Sequence, residues 1–212
     1  MYRLGSAIPT RRLCAGWLAL SFAMAAAPCI GHAATSPEDT ISNFYGTLLT
    51  TMKSTTLGAK GRYDQLAPAI RRDFDLLYMT RMAVGPAWTK LSEDQKKQVS
   101  DAFTRYMTAT YADNFDSYSG EKLEVTGQQT NSYGTIVQSR IVKSNGEPVS
   151  INYLMRQDNG EWRVGDIYLT GTISQLATLR SQFSSVLERG GADALTATLN
   201  RKAETLVTSV VP

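Results

Sequence analysis

The spacing of apolar residues changes twice along this chain. From residue 36 to 118 it follows the three-and-four step of an α-helix, from 122 to 169 it alternates, and from 173 onward it is helical again. Ser36 before Pro37-Glu38-Asp39 marks a helix start: the serine caps, Pro37 sits where its missing N–H costs nothing, and acids fill the first turn. Ile41, Phe44, Tyr45, Leu48, Leu49 and Met52 then share one face. Leu57-Gly58-Ala59-Lys60-Gly61 interrupts the pattern. Tyr63, Leu66, Ile70 and Phe74 form a second face, with Pro68 near its middle as a kink or restart. Leu76 to Val84 reads as a short third helix, ended by Gly85-Pro86. The longest helix is predicted from Ser92, in capping-box spacing with Gln95, to Tyr118. It would be about 40 Å long. Val99, Ala102, Phe103, Tyr106, Met107, Thr110 and Tyr111 form its stripe.

The alternating region predicts four strands. Leu123 and Val125 alternate with charges, and Thr135 to Val142 is rich in β-branched residues. Val149, Ile151, Tyr153 and Met155 alternate with polar neighbours, and Trp162 to Leu169 closes the set. Ser144-Asn145-Gly146 and Asp158-Asn159-Gly160 are hairpin turns. Trp162 and Val164 share a parity that Ile167 and Leu169 join only through a bulge near Gly165. Two helices follow, Ile173–Arg189 and Ala192–Val210, separated by Gly190-Gly191. The order is helices, then a four-stranded antiparallel sheet, then helices, an α+β architecture with one sheet face covered.

Composition matters chiefly at the N-terminus. Arg3, Arg11 and Arg12 precede an apolar stretch from Leu13 to Ala27, and no acid occurs before Glu38. The stretch is too short for a membrane-spanning helix, which needs roughly 20 residues. Residues 1–33 are therefore expected to be a cleaved secretory signal peptide, with the cut after Ala33. Ala34 and the end of the Ala25-Ala26-Ala27 run are the alternative cleavage points. Cys29 follows Ala27-Pro28 rather than a small residue, so lipid attachment is not expected. Residues 34–212 would form a single domain.

The leader carries both cysteines, Cys14 and Cys29, and the one histidine, His32. Its removal leaves no thiol or imidazole for metal binding or nucleophilic catalysis, and no cofactor is expected. It also takes three arginines and no acid, so the formal charge of +3 falls to zero. Basic residues elsewhere come at most in pairs, such as Arg71-Arg72 and Lys96-Lys97, which gives no basic stripe for nucleic acid.

Several segments together resemble one family. They are Phe74-Asp75-Leu76, Gly85-Pro86-Ala87-Trp88, Leu91 to Gln95, Tyr153 to Arg156, Trp162 to Asp166, Ser181 to Leu187, and Gly190 to Leu195. In order and spacing they resemble the MlaC-type periplasmic lipid-binding proteins, also called toluene-tolerance proteins. The stretch Asn114 to Glu121 is similar to the HpnM subgroup, associated with hopanoid biosynthesis. The resemblance runs from about Thr40 to Val207. It implies a nuclear-transport-factor-like fold whose curved sheet and helices enclose an apolar cavity. It also implies a non-enzymatic periplasmic shuttle carrying a hopanoid or phospholipid between membranes. Its partners would be an inner-membrane lipid transporter and an outer-membrane complex.

Such a cavity needs deformable apolar walls, which suits methionine, and rings with a polar end, which suits tyrosine. The candidate lipid-binding residues on the helices are Met79, Met82, Phe103, Tyr106, Met107 and Tyr111. Those on the strands are Val125, Val137, Ile141, Ile151, Tyr153, Met155, Trp162, Val164 and Ile167. Two other readings compete. A carboxylate-dependent hydrolase or isomerase would use Asp166, or the pair Asp113 and Asp116, in an apolar pocket. The blander role for Asp166 is a structural acid held by an arginine or backbone amides. A ligand-free interaction adaptor is the third reading.

Overall fold

The computed structural model describes residues 35–132 and 134–208. The expected leader with Cys14, Cys29 and His32 lies outside the described residues, as does the end of the expected last helix at Val210. Helix α1 spans Pro37–Met52 and begins with a capping box. Asp39 N–H donates to Ser36 Oγ at 3.0 Å, and the Asp39 carboxylate accepts from Ser36 N–H at 3.2 Å. Helix α2, Ala59–Asp73, runs through Pro68 without a restart. Helix α3 is Leu76–Val84, as the pattern predicts, and a 3-10 turn over Gly85–Lys90 follows it. Gly85 takes φ 66°, which favours glycine, and the space beside it is occupied by the Arg180 guanidinium.

Helix α4, Glu93–Asn114, starts at the Ser92–Gln95 capping box but stops four residues before Tyr118. Asp113, Asn114, Asp116 and Ser117 are each poor helix formers. The chain leaves the helix at Phe115, whose ring stacks on Tyr111 at 5.7 Å. The α4 carboxyl end is tied down by Arg62, a buried residue of α2. It donates Nε–H to the Ala112 carbonyl at 2.9 Å and a second N–H to the Leu57 carbonyl at 3.2 Å. A cation at the C-terminal end of a helix meets both its unpaired carbonyls and its dipole.

The sheet has five antiparallel strands in sequential order rather than four. They are β1 Lys122–Asn131, β2 Gly134–Val142, β3 Pro148–Asp158, β4 Glu161–Leu169 and the two-residue β5, Ile173–Ser174. Strand β5 takes the place of the expected first turn of the closing helix. Ser174 can pair with Tyr168 and also cap the helix, its Oγ accepting from Ala177 N–H at 3.0 Å. Asp166 fixes this corner. It accepts from Ile167 N–H at 2.7 Å, Ser174 Oγ–H at 2.6 Å and Leu176 N–H at 3.1 Å. Asp166 is thus a structural acid held by backbone amides and a hydroxyl.

The pairing shifts register between Leu154 and Met155, which face Asp166 and Val164 and leave Gly165 as the extra residue. This bulge puts Val164 and Ile167 on one face of β4, both buried. The space left by the missing Gly165 side chain is filled by Arg156, which lies 3.7 Å from the centre of the Tyr78 ring. Cross-strand partners Val137 and Tyr153, Tyr153 and Ile167, and Met155 and Val164 then share the buried face.

Helix α1 lies across that face, and helix α5, Gln175–Thr208, packs along α4. The Phe103 and Phe183 rings meet edge-on at 6.4 Å in the α4–α5 interface. Helix α5 combines the two expected closing helices across a break at Gly190 and Gly191. Gly191 holds φ 65° and ψ −160°, a conformation essentially reserved for glycine. At the centre, the Phe44 ring makes edge contacts with Phe74 at 5.0 Å and Tyr111 at 5.2 Å. Each such pair contributes about 0.5–1.5 kcal/mol beyond its buried area.

Two glycine substitutions should act in opposite directions. Gly191→Ala should destabilise by about 1–3 kcal/mol through backbone strain alone, since nothing lies within 4 Å of the added methyl. Gly46→Ala, on the exposed side of α1, should stabilise by about 0.5–1 kcal/mol. Urea unfolding midpoints check both; equal midpoints would contradict the assigned conformations.

Candidate functional site

A pocket of about 410 Å³ opens where the carboxyl end of α4 meets the sheet. That volume is within the range of ligand-binding clefts, roughly 300–1,000 Å³. Its wall is apolar and aromatic: Met52 from α1, Tyr111 and Phe115 from α4 and its cap, Ile141 from β2, Ile151 and Tyr153 from β3, and Ile167 and Leu169 from β4. Its mouth is polar, with Thr110, Asn114, Asp116, Ser117, Glu121 and Gln175.

Strand parity determines which sheet residues reach the pocket. Ile151 pairs with Leu169 and Tyr153 with Ile167, so these four line adjacent rows of one face. The helical contribution comes from the last turn of α4, which Arg62 holds against α2. Beneath the pocket lies a buried hydroxyl cluster. Tyr45 and Ser139 share a hydrogen bond of 2.6 Å, and Ser139 Oγ–H donates to the Ile151 carbonyl. The Tyr45 and Tyr153 rings meet edge-on at 6.0 Å. Desolvation pushes the Tyr153 phenol well above its ordinary value, and the neighbouring Tyr111 and Tyr45 push it further. Tyr111 is raised mainly by burial, and so is Tyr45, against the opposing pull of Ser139. These three phenols are therefore neutral throughout the physiological range.

Of the fifteen candidate residues, the structure brings Tyr111, Ile141, Ile151, Tyr153 and Ile167 together around this pocket. Met79, Phe103, Met107, Val137, Met155 and Val164 are buried in the packed core instead. For Phe103 the reason is the α4–α5 contact, where its ring meets that of Phe183. Met82 borders a separate groove with Tyr78, Leu154 and Arg180. Tyr106 is half-buried beside Lys202 Nζ, 5.8 Å from its ring centre. Val125 and Trp162 are half-buried against the core.

The lining also includes Met52, Phe115, Leu169 and the polar mouth, none of which is among the candidates. Leu169 shares the post-bulge parity of Ile167, and Met52 ends the α1 stripe, so both carried a readable signal. The mouth required knowing where α4 ends. The alternative carboxylates find no shared apolar site. Asp113 is exposed, Asp116 is exposed at the mouth, and Asp166 is engaged by three donors. Among the described residues, no group of three or more histidine, cysteine, aspartate or glutamate side chains could hold a metal ion.

The MlaC protein family model matches residues 42–201 of this chain. The fold is also similar to that of a phospholipid-binding protein from Ralstonia solanacearum, solved in complex with a phospholipid. That match has a TM-score of 0.68 at 22% sequence identity and covers 83% of this chain and 100% of the other.

The buried phenols set an alkaline limit. Their folded pKa values lie above the unfolded value of about 10, so their contribution is fully present below that pH. It is lost progressively as pH rises above 10 toward the folded values. Thermal melts should be level from pH 7 to 9 and fall from pH 10 to 11.5, with the fall reduced in Tyr153→Phe. An equal fall in wild type and variant would contradict this origin.

Proposed function

Because the chain belongs to the MlaC protein family, we propose that it is a periplasmic lipid carrier which takes the apolar part of one lipid into the pocket beside α4. The observation that carries this reading is the pocket itself, in which apolar and aromatic side chains, Tyr153 among them, stand beside polar ones at the end of α4. Moving an acyl chain from a bilayer into water costs about 0.8 kcal/mol for each methylene exposed. An apolar wall offsets most of that cost, and an open, polar mouth lets the cargo leave again. Among the described residues no helix is long and apolar enough to cross a membrane, consistent with a carrier that moves between membranes. On this reading the expected leader exports the chain, an inner-membrane transporter exchanges lipid with it, and an outer-membrane complex is the other terminus.

A phospholipid is the cargo best supported, through the phospholipid bound to the structural neighbour. A hopanoid is the second reading. The segment from Asn114 to Glu121, which resembles the hopanoid-associated subgroup, supplies four residues of the pocket mouth.

The test is to purify the protein from a host with native membranes, extract it with solvent and identify bound lipid by mass spectrometry. One lipid per protein is expected, and its mass distinguishes the two cargoes. Ile151→Glu, which puts a carboxylate into the apolar wall, should reduce occupancy at least about tenfold. A wild-type protein that is consistently empty would overturn the reading.

A further inference from the structure

The residues that line the pocket include two carboxylates, Asp116 and Glu121, and no lysine, arginine or histidine. Each carboxylate has one local donor. Ser117 Oγ–H donates to Asp116 Oδ1 at 2.8 Å, and Ser119 N–H donates to Glu121 Oε2 at 2.6 Å. The other oxygen of each has no hydrogen-bond partner among the described residues. The Gln175 side chain, at the amino end of α5, also lines the pocket. Its carboxamide oxygen is buried and has no partner among the described residues. A buried acceptor without a donor is costly, and a ligand donor would satisfy it.

Lys53 and Lys122, which adjoin the lining residues Met52 and Glu121 in sequence, do not line the pocket. Lys53 Nζ sits 4.8 Å from the centre of the Tyr118 ring, and Lys122 alternates away from the inward-facing Leu123. The mouth is therefore rich in acceptors and negative in sign. A bare phosphate would face carboxylates with no compensating guanidinium or ammonium, whereas a hydroxyl or an amine would find unused acceptors.

We infer that the pocket selects lipids whose polar end donates hydrogen bonds or carries an ammonium group, and disfavours lipids that present an uncompensated anionic phosphate. This rests on the carrier reading above and narrows its cargo class. Discrimination arises at the mouth, since the apolar wall treats equal chains alike.

The experiment offers the protein vesicles containing equal amounts of three lipids with identical acyl chains: phosphatidic acid, phosphatidylethanolamine and a monoglycosyl diacylglycerol. Protein is recovered and its lipids are quantified by mass spectrometry. The ethanolamine and glycosyl lipids should each exceed phosphatidic acid by about fivefold, the scale of a partly exposed charge contact. The ratio should fall toward one in the double variant Asp116→Asn, Glu121→Gln. Gln175→Leu should lower the glycosyl lipid against phosphatidic acid, because it removes an acceptor that no protein donor uses. Equal uptake of all three, or preference for phosphatidic acid, overturns this inference and leaves the carrier reading standing. Uptake of none overturns both.

Discussion

The pocket exists because helix α4 ends at Asn114. Had it continued to Tyr118, its next turn would have occupied the space that Phe115, Asp116 and Ser117 now border. Two interactions hold the end in place. Arg62, buried on α2, donates to the Ala112 carbonyl, and the Phe115 ring stacks on Tyr111 one turn earlier. Burying a guanidinium is costly unless its donors find acceptors. The terminal carbonyls of a helix are the acceptors available there, so the cost of burying Arg62 and the unpaired end of α4 offset one another. Everything at the mouth depends on this junction.

The sheet supplies the other half through a single irregularity. Without the Gly165 bulge, Ile167 and Leu169 would face away from Val164 and the buried face would lose the second half of β4. With it, three neighbouring strands present one continuous apolar surface. The hydroxyl cluster of Tyr45, Ser139 and Tyr153 then joins α1 to that surface. Its members are neutral and mutually satisfied, so the base of the pocket can meet an apolar chain without exposing a charge. The same arrangement explains why Asp166 takes no part in the pocket. Its carboxylate is consumed in joining β4, β5 and α5.

Much of this was legible in the sequence, for reasons that differ by element. Capping boxes at Ser36 and Ser92, the turn glycines, and the period-two runs each encode their structure within a few residues. The Gly165 bulge was readable because parity conflicts on either side of it. Alternation gave the inward face of Ile141, Ile151 and Tyr153, but it gave the same face to Val137 and Met155, which lie in the packed core. What failed to read through was tertiary. Nothing local distinguishes Met79 or Met107, which are packed in the core, from a methionine on a cavity wall, because the difference depends on which element covers each face. The α4 terminus was missed because Phe115 and Tyr118 continue the helical period, while the polar residues between them break the helix. The β5 strand is two residues long, too short to establish any period.

On the proposed carrier reading, the apolar part of the cargo would lie between the last turn of α4 and strands β2 to β4. A lipid carrying a photoactivatable diazirine midway along its chain, bound to the protein and irradiated, reports that location directly. Peptide mass spectrometry should place the adducts at Met52, Ile141, Ile151 or Leu169. Adducts confined to the Tyr78–Met82 groove, or to Met79 and Met107, would contradict it.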